Sequence, residues 1–154
     1  FRVGYDFLNR KRSYIMTYNM TDTTLKIGTL DLDMSQFDIP KKVVILSAKV
    51  NNRYNDVNGE KIKTEEVTKI ACTALDADKV KVLTEMGIST DDLKAINLEI
   101  VGNLDKVATL AQNESLLNVP IELVKPKVRL AWNIARSNWA GVKLVCEDIK
   151  ILGA

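Results

Sequence analysis

The sequence predicts a mainly β, β-rich α+β fold built around two long antiparallel hairpins with a short helical insert between them. Asn58-Gly59 separates two β-prone runs, and this dipeptide in that setting is the strongest short-range hairpin signal. Further along, an alternating run is followed by a turn and an apolar return run. The paired runs are 42–55 with 61–75 and 127–135 with 139–152. A chain of 154 residues has the size of a single domain, which we place at residues 21–154.

The register of the first hairpin can be predicted from its apolar residues. They align best across a three-residue loop, Val57-Asn58-Gly59, which sets Asp56 opposite Glu60 and Val44 opposite Cys72. Because side chains alternate between the two faces of a strand, one face is then apolar. The other face gathers Lys49, Arg53, Lys61, Lys63 and Lys69, with Glu65 as the one acid.

The remaining segments carry weaker signals. Alternation predicts a strand over Leu25–Leu32. Asp76 or Asp78 can cap a helix over 79–86 that stops at Gly87. Further along we predict a short helix from Ser89 through Ile96, a strand over Asn97–Val101, and either a helix or an irregular segment over Asp105–Gln112.

The two tryptophans of the second hairpin have different predicted environments. Trp132 alternates in phase with its apolar neighbours, which predicts a core position. Trp139 follows the predicted turn Arg136-Ser137-Asn138 and is either a core residue or an exposed platform on which a base stacks. From Leu123 to Val145 the chain has five cations and no acid, which favours a positively charged surface.

The composition argues against catalysis. Histidine, the commonest general base and metal ligand, is absent from the sequence. Glycine-rich phosphate loops, nucleophile elbows and CxxC pairs are absent as well. We therefore expect a protein that is not an enzyme, without catalytic residues, metal site or cofactor. Cys72 and Cys146 lie in apolar segments, which predicts two buried thiols in a cytoplasmic protein.

The layout of the chain resembles a known family. The segment Asn138-Trp139-Ala140-Gly141-Val142-Lys143-Leu144, the terminal Ile149-Lys150-Ile151 and the order of two hairpins around an insert carry the likeness. They resemble single-stranded DNA-binding proteins with the oligonucleotide-binding (OB) fold, which phages and mobile elements of Gram-positive bacteria encode. The resemblance implies an OB-like five-stranded Greek-key barrel in the bacterial cytoplasm. It also implies a homo-oligomer, dimer or tetramer, that binds single-stranded DNA in replication or recombination.

Single strands are held by a cationic groove that follows the phosphates and by aromatic side chains that stack on the bases. The side chains that suit these two roles lie on the two hairpins. The predicted nucleic-acid-binding residues are Lys49, Arg53, Tyr54, Lys61, Lys63, Arg129, Arg136, Trp139 and Lys143.

Two alternatives stay open at this stage. Residues 1–20 form an appendage to the core, in which 1–15 are either a translated leader or a basic arm. The net charge is +2 for the whole chain, so net charge alone does not favour nucleic acid.

The second alternative concerns function. The protein would be a non-enzymatic interaction module, a phage structural or regulatory protein, whose hairpins serve oligomerisation.

Overall fold

Seven strands in one mixed sheet and two α-helices form the fold in a computed structural model that describes residues 17–152. The strands are β1 (Lys42–Val57), β2 (Glu60–Asp76), β3 (Ile96–Ile100), β4 (Pro120–Val124), β5 (Lys127–Asn133), β6 (Asn138–Cys146) and β7 (Asp148–Ile151). The helices are α1 (Ala77–Glu85) and α2 (Leu104–Gln112), and short 3-10 turns span Ile27–Thr29 and Met34–Gln36. The predicted β-rich class is confirmed, whereas the predicted leader, 1–15, lies outside the described residues.

The strands are ordered β5-β6-β3-β2-β1-β4-β7. Neighbours pair antiparallel, except that β3 and β6 run parallel. Within the described residues the edge strands β5 and β7 do not pair with each other, so hydrogen bonds do not close the sheet into a barrel.

The first hairpin pairs antiparallel as predicted, but its turn is shorter than the predicted loop. Val57 stands opposite Glu60, so the turn consists of Asn58 and Gly59 alone. Both turn residues have positive φ, 53° and 84°. This is the requirement of a type I′ turn, whose twist matches that of the flanking strands. Asn and Gly both tolerate that conformation, which explains why the tighter turn forms.

Irregularities in the ladder then change the register along the first hairpin. Leu46 is an extra residue on β1 between two regular pairs, and two more shifts lie on the β2 side. Cys72 consequently stands opposite Ala48, and Val44 stands opposite Leu75. The predicted pairing of Val44 with Cys72 is wrong because bulges insert residues into one strand without a partner on the other.

The second hairpin is creased across its middle. Val124 pairs with Asp148 and Lys127 pairs with Val145, so the register is the same on both sides of the crease. Strands β4 and β5 thus form one bent strand, and β6 and β7 form another. The inner half of this hairpin, formed by β4 and β7, joins the sheet where β4 pairs with β1. The outer half, formed by β5 and β6, joins it where β6 pairs with β3. The antiparallel pairing of 127–135 with the start of 139–152 is confirmed, whereas the end of the return run pairs with β4 instead.

The crease forces the sheet to coil. In a flat sheet β6 and β7, five positions apart, would be separated by roughly 24 Å at the usual strand spacing. The chain from Cys146 to Asp148 spans at most about 7 Å. Glu147 closes the corner, because its N–H donates to the carbonyl oxygen of Val124 at 3.2 Å and its carboxylate lies 3.7 Å from Lys125 Nζ.

The concave side of the coiled sheet holds the core. The buried members come from all seven strands, from α2 and from Leu116 after it, and the segment before β1 adds Leu32, Phe37 and Ile39 at the edge. The fully buried large side chains are Val43, Ile45, Ile70, Leu98, Ile100, Val107, Leu116, Ile121, Val128 and Cys146. Cys72 and Cys146 are free and buried, as predicted. Burial raises the pKa of both thiols to about 12.

The weaker segment predictions have mixed outcomes. Helix α1 is confirmed, with Asp76 as its N-cap and Gly87 after its end at a φ of 70°. The strand predicted over Leu25–Leu32 is wrong, since this segment forms a 3-10 turn. The helix predicted from Ser89 is also wrong, since Ser89 Oγ accepts from the N–H of Asp91 in a turn. The undecided segment over 105–112 is helix α2.

Among residues 17–152, no helix is both long enough and apolar enough to cross a membrane.

We expect Gly102→Ala to destabilise the fold by about 1–3 kcal/mol, because a side chain there overpacks the corner. A Cβ on Gly102 would overlap the carbonyl oxygen of Glu147, which is backbone and cannot rotate away. The midpoint of urea denaturation measures the loss. The neighbouring Val101→Ala, at a side chain 40% exposed, is the control and should change stability by less than about 1 kcal/mol. A Gly102→Ala midpoint equal to that of the control would contradict a tight corner.

Candidate nucleic-acid interface

A groove of about 470 Å³ lies on the convex, outer face of the sheet, opposite the core. Strands β1, β2, β3 and β6 form its floor, and the end of β5 forms one wall. The polar lining consists of Ser47, Lys69, Thr73, Asn97, Glu99 and Lys143. The wall consists of Ala131, Trp132 and Ile134. We call this the outer groove.

Glu99 holds two lysines in place in the outer groove. Its Oε2 lies 2.8 Å from Lys143 Nζ and 3.2 Å from Lys69 Nζ, so three adjacent strands are joined by one carboxylate. The Glu99 side chain is only 17% exposed. Burial acts to raise the pKa of Glu99, but the hydrogen bond from Lys143 and the charges of both lysines outweigh it and hold the pKa below its ordinary value. The group therefore stays ionised, and the cluster keeps a net charge of +1.

A second acid bridges two cations beside the first cluster. Arg129 stands opposite Lys143 in the β5–β6 ladder. Arg129 Nε lies 2.9 Å from Asp31 Oδ1, and Lys127 Nζ lies 3.5 Å from Asp31 Oδ2. Lys69, Lys143, Arg129 and Lys127 thus follow one another across the outer face, and we call them the cationic row. Two acids against four cations leave the row with a net charge of +2.

The groove also offers uncharged hydrogen-bonding groups. The hydroxyl oxygens of Ser47 and Thr73 lie 2.6 Å apart on neighbouring strands. Asn97 adds an exposed amide one strand further on. Hydroxyl and amide groups both donate and accept, so they can contact a sugar or a base edge without demanding one particular base.

Both tryptophans lie at the end of the groove and are partly exposed. Trp132 and Trp139 are opposite each other in the β5–β6 ladder, with ring centroids 5.1 Å apart and planes at 78°. Trp132 is 51% exposed, so the predicted core position is wrong. The ladder shifts its register between Leu130 and Trp132, and β3 pairs with β6 only at 144–146, so no strand of the described chain lies beside this end of the hairpin. Trp139 rests against Gly28.

The first hairpin does not present the single cationic face that the sequence predicts. Lys49 and Arg53 lie on the outer face with Lys69, and Arg53 is paired with Glu66 at 3.3 Å. The other three predicted residues, Tyr54, Lys61 and Lys63, lie on the opposite face. Lys63 borders a hollow lined by Val67 and by Gln112 of α2, which confirms that it faces the helix side.

The structure therefore brings together part of the predicted site. Arg129, Lys143 and Trp139 lie in or beside the outer groove, and Arg136 is exposed in the turn over 134–137. The predicted binding residues do not include five others that lie in or beside the groove: Asp31, Lys69, Glu99, Lys127 and Trp132. For Asp31 the sequence carries no signal, because its contact with β5 spans 98 residues of chain.

No cluster of three or more Cys, Asp and Glu side chains able to hold a metal ion occurs in the part of the chain that the structure describes. Comparisons with protein-family models, with curated proteins and with solved structures found no match to the chain.

We expect Glu99→Gln to lower the free energy of unfolding at neutral pH, because it leaves Lys69 and Lys143 without their counter-charge. The pKa of Glu99 is lower in the folded chain than in the unfolded chain, where glutamates titrate at about 4.3. The stabilisation is therefore fully present above about pH 4.3 and is lost as the pH falls through the folded pKa. Urea denaturation should show the gap between wild type and variant narrowing below about pH 4.

The control for this experiment is Glu66→Gln, which removes the partner of Arg53 from a pair with side chains 62% and 61% exposed. We expect it to change stability by less than about 1 kcal/mol, as exposed pairs do. A Glu99→Gln gap that stays constant across the acid range would show that the carboxylate charge is not what stabilises the cluster.

Proposed function

We propose that the protein binds single-stranded DNA without sequence specificity, across the outer groove and along Lys69 and Lys143 of the cationic row. The observation that supports this best is the position of an exposed tryptophan pair at the end of an open groove with lysines on its floor. Non-specific binding of single strands needs two elements: cations that follow the phosphate backbone of the nucleic acid, and aromatic rings on which any base can stack. We further propose a role in phage or mobile-element replication or recombination, in the bacterial cytoplasm.

We also propose that the sheet is an OB-type barrel whose last two strands are creased. Counted as bent strands, β4–β5 is the fourth strand and β6–β7 is the fifth. The fourth strand lies beside the first, which gives the order 4-1-2-3 of a Greek key. OB folds are five-stranded, partly open Greek-key barrels. They bind oligonucleotides across the face of strands 2 and 3 and through the 1–2 and 4–5 loops.

The corresponding parts of this chain support the same path for the DNA. The face of strands 2 and 3 carries Lys69 and Glu99, and the 4–5 loop is the turn over 134–137 with the tryptophans at its base. The bases would stack on Trp132, which is the more exposed of the two rings, while the phosphates lie along Lys69 and Lys143. The hydroxyls of the groove would contact the sugars.

An oligomerising interaction module is the second candidate function, and the tip of the first hairpin favours it. Val57 and Ile62 are 47% and 49% exposed there. Strands β3 and β4 pair only with the other end of the hairpin, at 70–74 and 42–44. A two-stranded ribbon without neighbours is marginally stable alone, so a second copy of the chain is a suitable partner for it. A dimer or tetramer that also binds DNA would unite the two candidates.

We expect labelled oligo-dT to bind more tightly than a duplex of the same length, with affinity that falls steeply as salt rises. Each phosphate contact on a single strand contributes about −0.7 to the slope of log K against log salt. Contacts from Lys49, Lys69, Arg136 and Lys143 would give a slope of about −3. Fluorescence anisotropy measures both. Equal affinity for duplex, or a flat salt response, would contradict the proposal, and sedimentation as a dimer without oligo-dT binding would favour the second candidate.

We expect Trp132→Ala to weaken oligo-dT binding by roughly 1–3 kcal/mol, the contribution of about one base stack. Folding should be almost unchanged, because the side chain is half exposed. Ile134→Ala is the matched control, since Ile134 lines the same wall, is 84% exposed and has no π-face. Tryptophan fluorescence should be quenched by oligo-dT in the control and much less in Trp132→Ala. Equal affinities of the two variants would exclude stacking at Trp132.

A further inference from the structure

A short segment before β1 covers the outer end of the second hairpin. This segment, residues 27–32, includes the first 3-10 turn, and we call it the strap. Three contacts hold it on the hairpin: Gly28 lies against the ring of Trp139, Asp31 bridges Arg129 and Lys127, and the N–H of Leu32 donates to the carbonyl oxygen of Val128 at 2.8 Å.

The two acids of the cationic row differ in where they come from. Glu99 belongs to β3, which lies inside the sheet between β2 and β6, so it leaves the row only if the sheet opens. Asp31 belongs to the strap, which lies outside the sheet, and its side chain is 46% exposed. Partly exposed ion pairs of this kind stabilise a fold only weakly. Asp31 can therefore leave the row without disturbing the strands.

We propose that Lys127 and Arg129 form a phosphate subsite, which the carboxylate of Asp31 occupies until single-stranded DNA displaces the strap. The inference rests on the proposed function and extends it to Lys127, at the β5 end of the row. A phosphate offers two oxygens to the same two cations that a carboxylate does, and the Arg129 guanidinium suits either anion. Displacement of the strap would also free the ring of Trp139, which Gly28 covers.

The geometry explains why this competition would be weak enough to be reversible. The strap holds the subsite by one backbone hydrogen bond, two partly exposed ion pairs and one ring contact. A DNA strand that already lies on Lys143 brings its next phosphates to the neighbouring strand, β5, at high effective concentration. The strap would thus lower the affinity for DNA without preventing binding.

The first test compares Asp31→Asn with Asp33→Asn in oligo-dT anisotropy titrations. Both variants remove one negative charge from the chain before β1, Asp31→Asn within the strap and Asp33→Asn just after it. Within residues 17–152 Asp33 pairs with no cation, and its Oδ1 accepts hydrogen bonds from the N–H and the hydroxyl of Ser35. We expect Asp31→Asn to bind oligo-dT roughly 3- to 10-fold more tightly than Asp33→Asn, from the loss of two competing ion pairs.

The outcomes of this comparison are distinguishable. If wild type and both variants fail to bind oligo-dT at low salt, the proposed function is wrong and the subsite falls with it. If all three bind with the same affinity, the proposed function stands and the subsite is overturned.

The second test follows the strap directly by amide hydrogen exchange in the wild-type protein. The amide of Leu32 is protected by its bond to Val128 in the free protein. Saturating oligo-dT should accelerate its exchange, while amides within β3 and β6 keep or gain protection. Unchanged or slower exchange at Leu32 under saturation would show that DNA binds with the strap in place, which overturns its displacement.

Discussion

The crease at Lys125-Pro126 and Glu147 is the constraint on which the rest of the structure depends. It lets one hairpin pair with β1 through its inner half and with β3 through its outer half. Because two residues cannot span the width of a flat six-strand array, the sheet must coil, and the coil encloses the core. The convex face that remains is continuous from β2 to β5. Lys69 of the first hairpin is far in the sequence from the other three cations of the row, and it lies near them only on this face.

The sequence predicts the hairpins well because their signals are local. Asn58-Gly59 and the alternation around it depend on neighbouring residues, and so do the cap and stop of α1. The register is less predictable, because the extra residue Leu46 leaves no mark in the composition of β1. The crease is equally unpredictable from the sequence. The apolar return run 139–152 is continuous, and only tertiary pairing divides it at Glu147. Strand β4 was not predicted, since five residues after an irregular segment carry too short a pattern.

The candidate site is less predictable than the fold, for a different reason. The alternation of apolar and polar residues predicts which face of a strand a side chain occupies. It does not predict whether another element covers that face. Trp132 therefore shares the pattern of core residues and is nevertheless half exposed. The two-residue turn, one residue shorter than predicted, moves Lys61 and Lys63 to the face opposite Lys49, although their spacing in the sequence suggests one surface. Asp31 and Glu99 become part of the site only through contacts between distant strands, which no local pattern encodes.

The two buried thiols can report local opening of the sheet, because each becomes reactive only when its surroundings open. Cys72 in β2 pairs with Leu98, and Cys146 in β6 pairs with Ile100, so the thiols flank β3 from either side. Only a thiolate reacts with an alkylating reagent, and burial keeps both groups protonated and out of reach. Modification of Cys146 alone would indicate a sub-global opening in which β5 and β6 separate from β3. Modification of both thiols would indicate global unfolding. The ratio of the two labelling rates thus measures how independently the creased hairpin moves.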